Sequence, residues 1–276
     1  MTPTVVRCQR SQTDKNAART LQFHRSMKRS LVIYSLLLTC FFRSCLSCMF
    51  VYEDEEHEFL QLTNTHVNNS VLFLSHGGVC DVAVLAVGGG GQGKLGGGGS
   101  GYIKYYRQHL DADMELIVRV GGPWQRTTVD LLNTDGRRHD LLIAEAGETG
   151  FPEQGGNGYS GGGGWDVIRD DDACQGGSDG GAGRGDLAGN GTREDVSSYQ
   201  MKHFILSPGT GGESFHNGFY FGGGGGGVLV NGEGPEPDPY NAPYQGEGYG
   251  GGGNEAHCCE DGSLPGVVLL EVYSKI

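Results

Sequence analysis

The sequence predicts an all-β protein, a jelly roll or β-sandwich that carries an inserted bundle of polyglycine helices of the polyproline II type. Two observations predict it. Short apolar or alternating segments recur between turn signals, and no stretch keeps a helical period over several turns. Long glycine runs interrupt these segments, and all 52 glycines lie between Gly77 and Gly266. Because the glycines follow no strict Gly-X-Y period, a collagen triple helix is excluded.

The strand segments are short, and turn sequences such as residues 133–136 (NTDG) separate them. Several short strands with frequent turns are typical of a sandwich or jelly roll. We expect the last strand to return to the first sheet and close the domain. The predicted strands are residues 59–62, 71–74, 81–87, 102–106, 114–120, 141–144, 201–206, 228–230 and 267–273.

The longest glycine run is residues 222–227, in FYFGGGGGGVLV, and shorter runs include residues 96–99. Glycine has no Cβ, so glycine backbones can approach closely. Extended segments side by side can then satisfy each other's N–H and C=O groups. Nearly pure runs between strands favour this bundle over flexible linkers, which mix in serine. We place a glycine-helix insertion at about residues 146–266. The predicted bundle glycines are Gly88, Gly89, Gly90, Gly91, Gly161, Gly162, Gly163, Gly164, Gly222, Gly223, Gly224, Gly225, Gly226, Gly227, Gly250, Gly251, Gly252 and Gly253.

Residues 1–47 read as an N-terminal extension and a signal peptide, and residues 48–276 as the glycine-rich domain. A short basic segment that starts at Met27 precedes twelve apolar residues, 31–42, and small residues follow. This order is typical of a secretory signal, and translation could start at Met27. The other interpretation is an uncleaved signal anchor whose apolar stretch extends to Tyr52. The protein is therefore expected to be secreted, or held at the cell surface by that anchor.

The cysteines of the exported part are expected to form disulfides. Their connectivity cannot be read from the sequence, although adjacent Cys258 and Cys259 are expected to reach the other two candidates rather than each other. Cys48, at the edge of the signal region, is a further candidate. A zinc site is disfavoured because adjacent ligands lack the usual spacing. The disulfide candidates are Cys80, Cys174, Cys258 and Cys259.

Two kinds of short motif suit an extracellular chain. Asn68 and Asn190 each begin an Asn-X-Ser/Thr sequence and are candidate glycosylation sites. Arg184, Gly185 and Asp186 form an RGD tripeptide, which integrins bind when it lies on an exposed turn, so it is a candidate adhesion site.

Charge and motifs argue against nucleic-acid binding and catalysis. The net charge is −13, and without the basic first 47 residues it falls to about −20, which would repel phosphate backbones. Residues 91–96 fit G-x-G-x-x-G, but no helix follows to hold a pyrophosphate. Residues 176–180 fit G-x-S-x-G without the strand and helix of a nucleophile elbow. We therefore expect no catalysis and no cofactor.

Four segments carry a family resemblance: VAVLAVGGGGQGKLGGGGSGYI, SGGGGWD, FYFGGGGGG and PGVVLLEV. They resemble the glycine-rich extracellular domain of the anaplastic lymphoma kinase and leukocyte tyrosine kinase receptors, and are also similar to glycine-rich modules of phage tail fibres and adhesins. The resemblance implies a TNF-like β-sandwich with a bundle of glycine helices that binds small proteins. No kinase domain is present in the sequence, and no loop motif matches closely enough to transfer ligand contacts.

The sequence thus favours a non-catalytic module that presents loops to an extracellular protein or glycan. The alternative is a structural matrix or mucus-type protein whose glycine segments associate with one another. Interspersed strands and a large negative charge favour the module. It could also form a homo-oligomer, and it would contact a membrane only through an uncleaved N-terminal anchor.

Overall fold

The structure is a computed structural model in which residues 48–276 form one compact unit. It describes residues 48–63, 69–74, 79–111, 114–151, 154–164, 175–178, 180–185, 187–213, 215–216, 220–235, 244–254 and 262–273. Described residues with regular structure are nearly all in strands. The strands are β1 (Met49–Tyr52), β2 (Glu55–His57), β3 (Phe59–Thr63), β4 (Asn69–Leu74), β5 (Val79–Val87), β6 (Ile103–Asp111), β7 (Glu115–Arg119), β8 (Thr127–Leu132), β9 (Arg138–Ala144), β10 (Leu206–Pro208), β11 (Phe215–His216), β12 (Tyr220–Phe221), β13 (Val228–Val230) and β14 (Val267–Tyr273).

Two antiparallel sheets pack face to face, which confirms the predicted all-β sandwich. One has six strands in the order β2-β1-β4-β7-β8-β9, and the other has four in the order β3-β14-β5-β6. A single apolar cluster fills the space between them, with Phe50 and Leu116 from the first sheet and Val84 and Leu270 from the second. Each such buried side chain contributes about 1.5–3 kcal/mol relative to its exposed state.

The last strand, β14, lies between β3 and β5, as expected from the sequence. Its two faces enter two different cores. Leu270 packs into the sandwich core, whereas Leu269 packs into a second cluster with Val228 and Tyr159 of the region that follows β9. Because both faces are covered, β5 from Val82 to Val87 and β14 from Val267 to Leu270 are continuous apolar runs rather than alternating ones.

The predicted strands leave out β1, β2, β8, β11 and β12, and one predicted strand is wrong. β1 was missed because its apolar residues continue the signal region, and β8 was missed because Asp130 interrupts its alternation. In the structure Asp130 is buried beside the guanidinium groups of Arg119 and Arg138, which compensate its charge. The predicted strand at residues 201–206 is wrong, since only Leu206 of that stretch is in a strand.

The described structure includes the residues that directly follow the predicted signal region. Phe50 is 0% exposed and pairs with β2 and β4, so the anchor extended to Tyr52 is contradicted. Cys48 forms a disulfide with Cys80, with a Cα–Cα distance of 5.9 Å. The disulfide candidacy of Cys80 is thus confirmed, and its expected pairing with Cys258 or Cys259 is wrong. Those two residues and Cys174 lie outside the described residues.

No helix in the described ranges is long and apolar enough to cross a lipid bilayer. The described helical structure is one 3₁₀ turn, Val196–Ser198, which Asp195 caps by accepting a hydrogen bond from the Ser197 amide.

Candidate functional site

The glycine runs are bonded to one another through their backbones. Gly98 donates to the carbonyl of Gly253 and accepts from the amide of Gly225, each at 2.9 Å. Gly163 in turn donates to Gly223 at 2.8 Å. Gly98, Gly163, Gly223, Gly225 and Gly253 are all buried, so these bonds replace water for groups that would otherwise be unsatisfied. The runs at 88–91, 96–99, 161–164, 222–227 and 250–253 thereby form one hydrogen-bonded body, called the glycine body below.

Close approach explains why these positions are glycine. A Cβ built on Gly224 would lie 1.9 Å from the carbonyl oxygen of Gly252, and one on Gly97 would lie 1.9 Å from that of Gly223. Ordinary contact needs about 3.4 Å or more, so any side chain would push two backbones apart. The same geometry brings Cα–H groups against carbonyl oxygens. The polyproline II form of the individual runs stays a prediction.

The glycine body includes members that sequence reasoning missed. The run at 96–99 was noted but not assigned to the bundle. Single or paired glycines between the runs also take part, and their backbone carbonyls or amides bond to the runs. They were missed because an isolated glycine carries the same signal as an ordinary turn. These additional members include Gly156, Gly177, Gly189, Gly209, Gly212 and Gly246.

A buried carboxylate fastens the region after β9 to the sandwich. Glu271 of β14 is 0% exposed and accepts hydrogen bonds from the backbone N–H groups of Lys202 (2.7 Å) and His203 (3.0 Å). The ring of His203 stacks on Phe59, with 4.5 Å between centroids. Charge-assisted bonds of this kind compensate the cost of burying the carboxylate.

Tyrosines extend this attachment. The hydroxyls of Tyr105 and Tyr273 donate to the carbonyl of Gln200 at 3.1 and 2.7 Å. Burial, and then the nearby Glu271 carboxylate, raise the pKa of Tyr273 to about 12. Burial, and then a hydrogen bond to Glu194, raise the pKa of Tyr199 above its usual value. These hydroxyls stay protonated near neutral pH and so remain available as hydrogen-bond donors.

A groove of about 530 Å³ opens where the glycine body meets the loop after β9. The exposed Phe151 (55%) lines it, and two further exposed apolar residues, Leu95 (36%) and Leu187 (68%), lie on segments that are bonded to the lining. Backbone bonds hold them together, since Gly96 donates to Phe151 and Gly155 donates to Leu187. The groove is lined by Gly147, Glu148, Thr149, Phe151, Gln154 and Gly155.

Two of the three apolar residues are in a costly backbone conformation. Leu95 has φ of 67° and Leu187 has φ of 55°. This left-handed region costs an ordinary L-residue about 1–2 kcal/mol. Glycine is used at several other left-handed positions, such as Gly136 and Gly232, and five further non-glycine residues, including the exposed Trp124, also have positive φ. Phe151 is exposed in the groove lining, and Leu95 and Leu187 nearby are both strained and exposed, so this groove is the candidate binding surface.

The candidate adhesion and glycosylation residues lie close to this surface. Arg184 and Gly185 are exposed, Gly185 has φ of 95°, and the Arg184 carbonyl accepts from Gly164 of the glycine body at 2.9 Å. Asp186 lies outside the described residues. Asn190 is exposed, and its backbone N–H donates to the side-chain oxygen of Asn157. The side-chain nitrogen of Asn157 donates in turn to the carboxylate of the groove residue Glu148. Asn68 is outside the described residues.

Motifs that suggested other chemistry are accounted for by the glycine body. In the G-x-G-x-x-G match, the N–H groups of Gly91 and Gly96 donate to carbonyls of Gly99 and Phe151. A phosphate would have to displace those bonds. Within the described ranges, no three His, Cys, Asp or Glu residues are grouped so that they could hold a metal ion.

Comparison with known protein families, with curated proteins and with solved structures finds no match to this chain.

Proposed function

We propose that the protein is a secreted or cell-surface binding module without catalysis, in which the glycine body holds a preformed groove for an extracellular protein or glycan. The observation that carries the proposal is the set of exposed apolar residues around the groove, Leu95, Phe151 and Leu187. Two of them hold left-handed backbone conformations. Backbone strain in exposed, non-glycine residues is characteristic of binding sites.

The glycine body favours binding because it is pre-organised. Its carbonyls and amides are engaged with one another, so a groove built on it loses little conformational freedom when a partner binds. The apolar rim supplies contact area, and polar groups of Glu148, Thr149 and Gln154 in the lining supply hydrogen bonds. A flexible glycine linker would offer neither a pre-organised surface nor polar groups held in fixed positions.

The backbone hydrogen bonds within the glycine body count against the alternative function, a matrix or mucus-type protein that associates with itself. Self-association of glycine segments requires backbone groups that are available to a second chain. In the described runs the amides of residues 88–91, 96–99, 222 and 224–227 donate within the chain. Export is supported by the disulfide between Cys48 and Cys80, which forms and persists in oxidising compartments. We also propose that Asn190 is glycosylated.

The test is a binding screen of the purified chain from residue 48 onward against extracellular proteins and glycans, followed by groove variants. We expect Leu187→Gly to weaken binding at least tenfold while raising thermal stability slightly, because it removes apolar surface and relieves the left-handed strain together. Ile205→Ser is the control, since Ile205 is 74% exposed and its carbonyl is bonded to Asn231, whereas the carbonyl of Leu187 is bonded to the groove residue Gly155.

Two results would contradict the proposal. One is a partner that binds Leu187→Gly as tightly as the unaltered chain. The other is a screen in which neither proteins nor glycans bind, while the chain is shown to be folded by circular dichroism.

A further inference from the structure

The positions of Cys48 and Phe50 in the structure limit which residues could lie within a membrane. Cys48 is bonded to Cys80, which is 1% exposed, and Phe50 lies in the sandwich core. β1 pairs with both β2 and β4. Residues from Cys48 onward therefore cannot enter a bilayer unless β1, the disulfide and part of the core are lost.

The apolar stretch before Cys48 is too short for a typical transmembrane anchor. The apolar stretch, residues 31–42, has twelve residues, and Arg43 follows it directly. As a helix it would span about 18 Å, against a hydrocarbon core of about 30 Å. Twelve residues do fit the apolar region of a cleaved secretory signal, for which 7–15 residues are usual.

We propose that the signal is removed by hydrolysis of the peptide bond between Ser47 and Cys48. Signal cleavage requires small residues at the first and third positions before the cut. Among the bonds between Phe42 and Cys48, a cut after Ser47 meets this rule, with Ser47 and Cys45 at those positions. A cut after Ser44 would place Phe42, and a cut after Cys45 would place Arg43, at the third position.

The cleavage leaves the fold intact. Water adds across the amide, so that the carboxyl group stays on Ser47 and the new amine is on Cys48. Cys48 then begins the mature chain and remains tied to β5 through its disulfide. A cut one residue later would remove half of that disulfide. The inference rests on the export proposed above, and the experiment separates the two.

The experiment expresses the full chain in secretory cells and determines the N-terminal peptide by mass spectrometry. We expect a product in the medium that begins at Cys48. It is 47 residues shorter than the expressed chain and lacks both the N-terminal extension and the signal. Ser47→Leu should abolish this cut and retain the chain with the membrane fraction. Ser44→Leu, the matched control, should leave the cut unchanged.

Three outcomes would overturn the inference in distinguishable ways. A secreted product with another first residue refutes this bond and keeps export. An uncleaved, membrane-bound chain that external protease digests refutes cleavage and keeps export. An uncleaved chain in the cytosol, inaccessible to external protease, refutes export itself.

Discussion

Replacing Gly224 by alanine tests the glycine body directly. The new Cβ would lie 1.9 Å from the carbonyl oxygen of Gly252, so the two backbones must separate by more than about 1 Å. Gly224 donates to Tyr244 at 2.9 Å, and its carbonyl accepts from Gly212 at 2.7 Å. Loss of these two buried hydrogen bonds costs about 1–3 kcal/mol each.

The lower entropy of alanine in the unfolded chain offsets little of this cost, about 0.4–1 kcal/mol in favourable sites. The net loss in the free energy of unfolding is then about 2–5 kcal/mol. For a domain of this size, such a loss lowers Tm by roughly 5–20 °C. Thermal and urea unfolding monitored by circular dichroism measure it.

The matched control is Gly136→Ala in the turn between β8 and β9. A Cβ there meets no atom within 4 Å, and the positive φ of 78° is the expected source of strain. This substitution should cost about 1 kcal/mol. If Gly224→Ala loses no more stability than Gly136→Ala, the glycine run is a linker and the reasoning fails.

Four other predictions follow from the same structure. Glu271→Gln should lower the free energy of unfolding by about 1.5–3 kcal/mol, because two backbone amides lose a charged acceptor. An unchanged midpoint of urea unfolding would contradict this prediction. Cys48→Ser should cost about 3–4 kcal/mol from the closed loop of 32 residues, and Cys80→Ser should match it in the same assay. Tyr273 has a folded pKa raised to about 12 from 10, so its contribution to stability is full below pH 10 and is lost as pH rises toward 12. Alkaline spectrophotometric titration that finds every tyrosine ionising near pH 10 would refute it. Asn190→Gln should remove a glycan from the secreted chain, seen as a mass loss equal to that from glycosidase treatment; an unchanged mass would exclude modification at this site.

Much of the fold could be predicted because its signals are local. The apolar runs within β5 and β14 indicated strands, and both strands are covered on two faces by separate cores. Nearly pure glycine runs indicated backbone packing, since only glycine allows carbonyl oxygens to approach Cα so closely. Both inferences can be made without knowing which segments of the chain contact each other in the fold.

The rest depended on partners that are distant in sequence. Asp130 in β8 looked like a break in a strand until Arg119 and Arg138 were placed beside it. The disulfide partner of Cys80 is Cys48, a further candidate at the edge of the predicted signal region that residue type alone could not rank above the others. The groove joins residues such as Leu95 and Leu187 through backbone bonds, and neither its φ values nor its exposure can be read from residue type.

Native-state hydrogen exchange of the glycine amides is the most direct test of the central claim, that the glycine runs form one ordered, hydrogen-bonded body. The amides of Gly98, Gly225 and Gly253 are buried and bonded at 2.9 Å to other backbone carbonyls. They should exchange through global unfolding, as slowly as the core amides of β5 and β14. Exchange of these glycine amides at the rate of an unstructured chain, while β5 and β14 stay protected, would contradict the account.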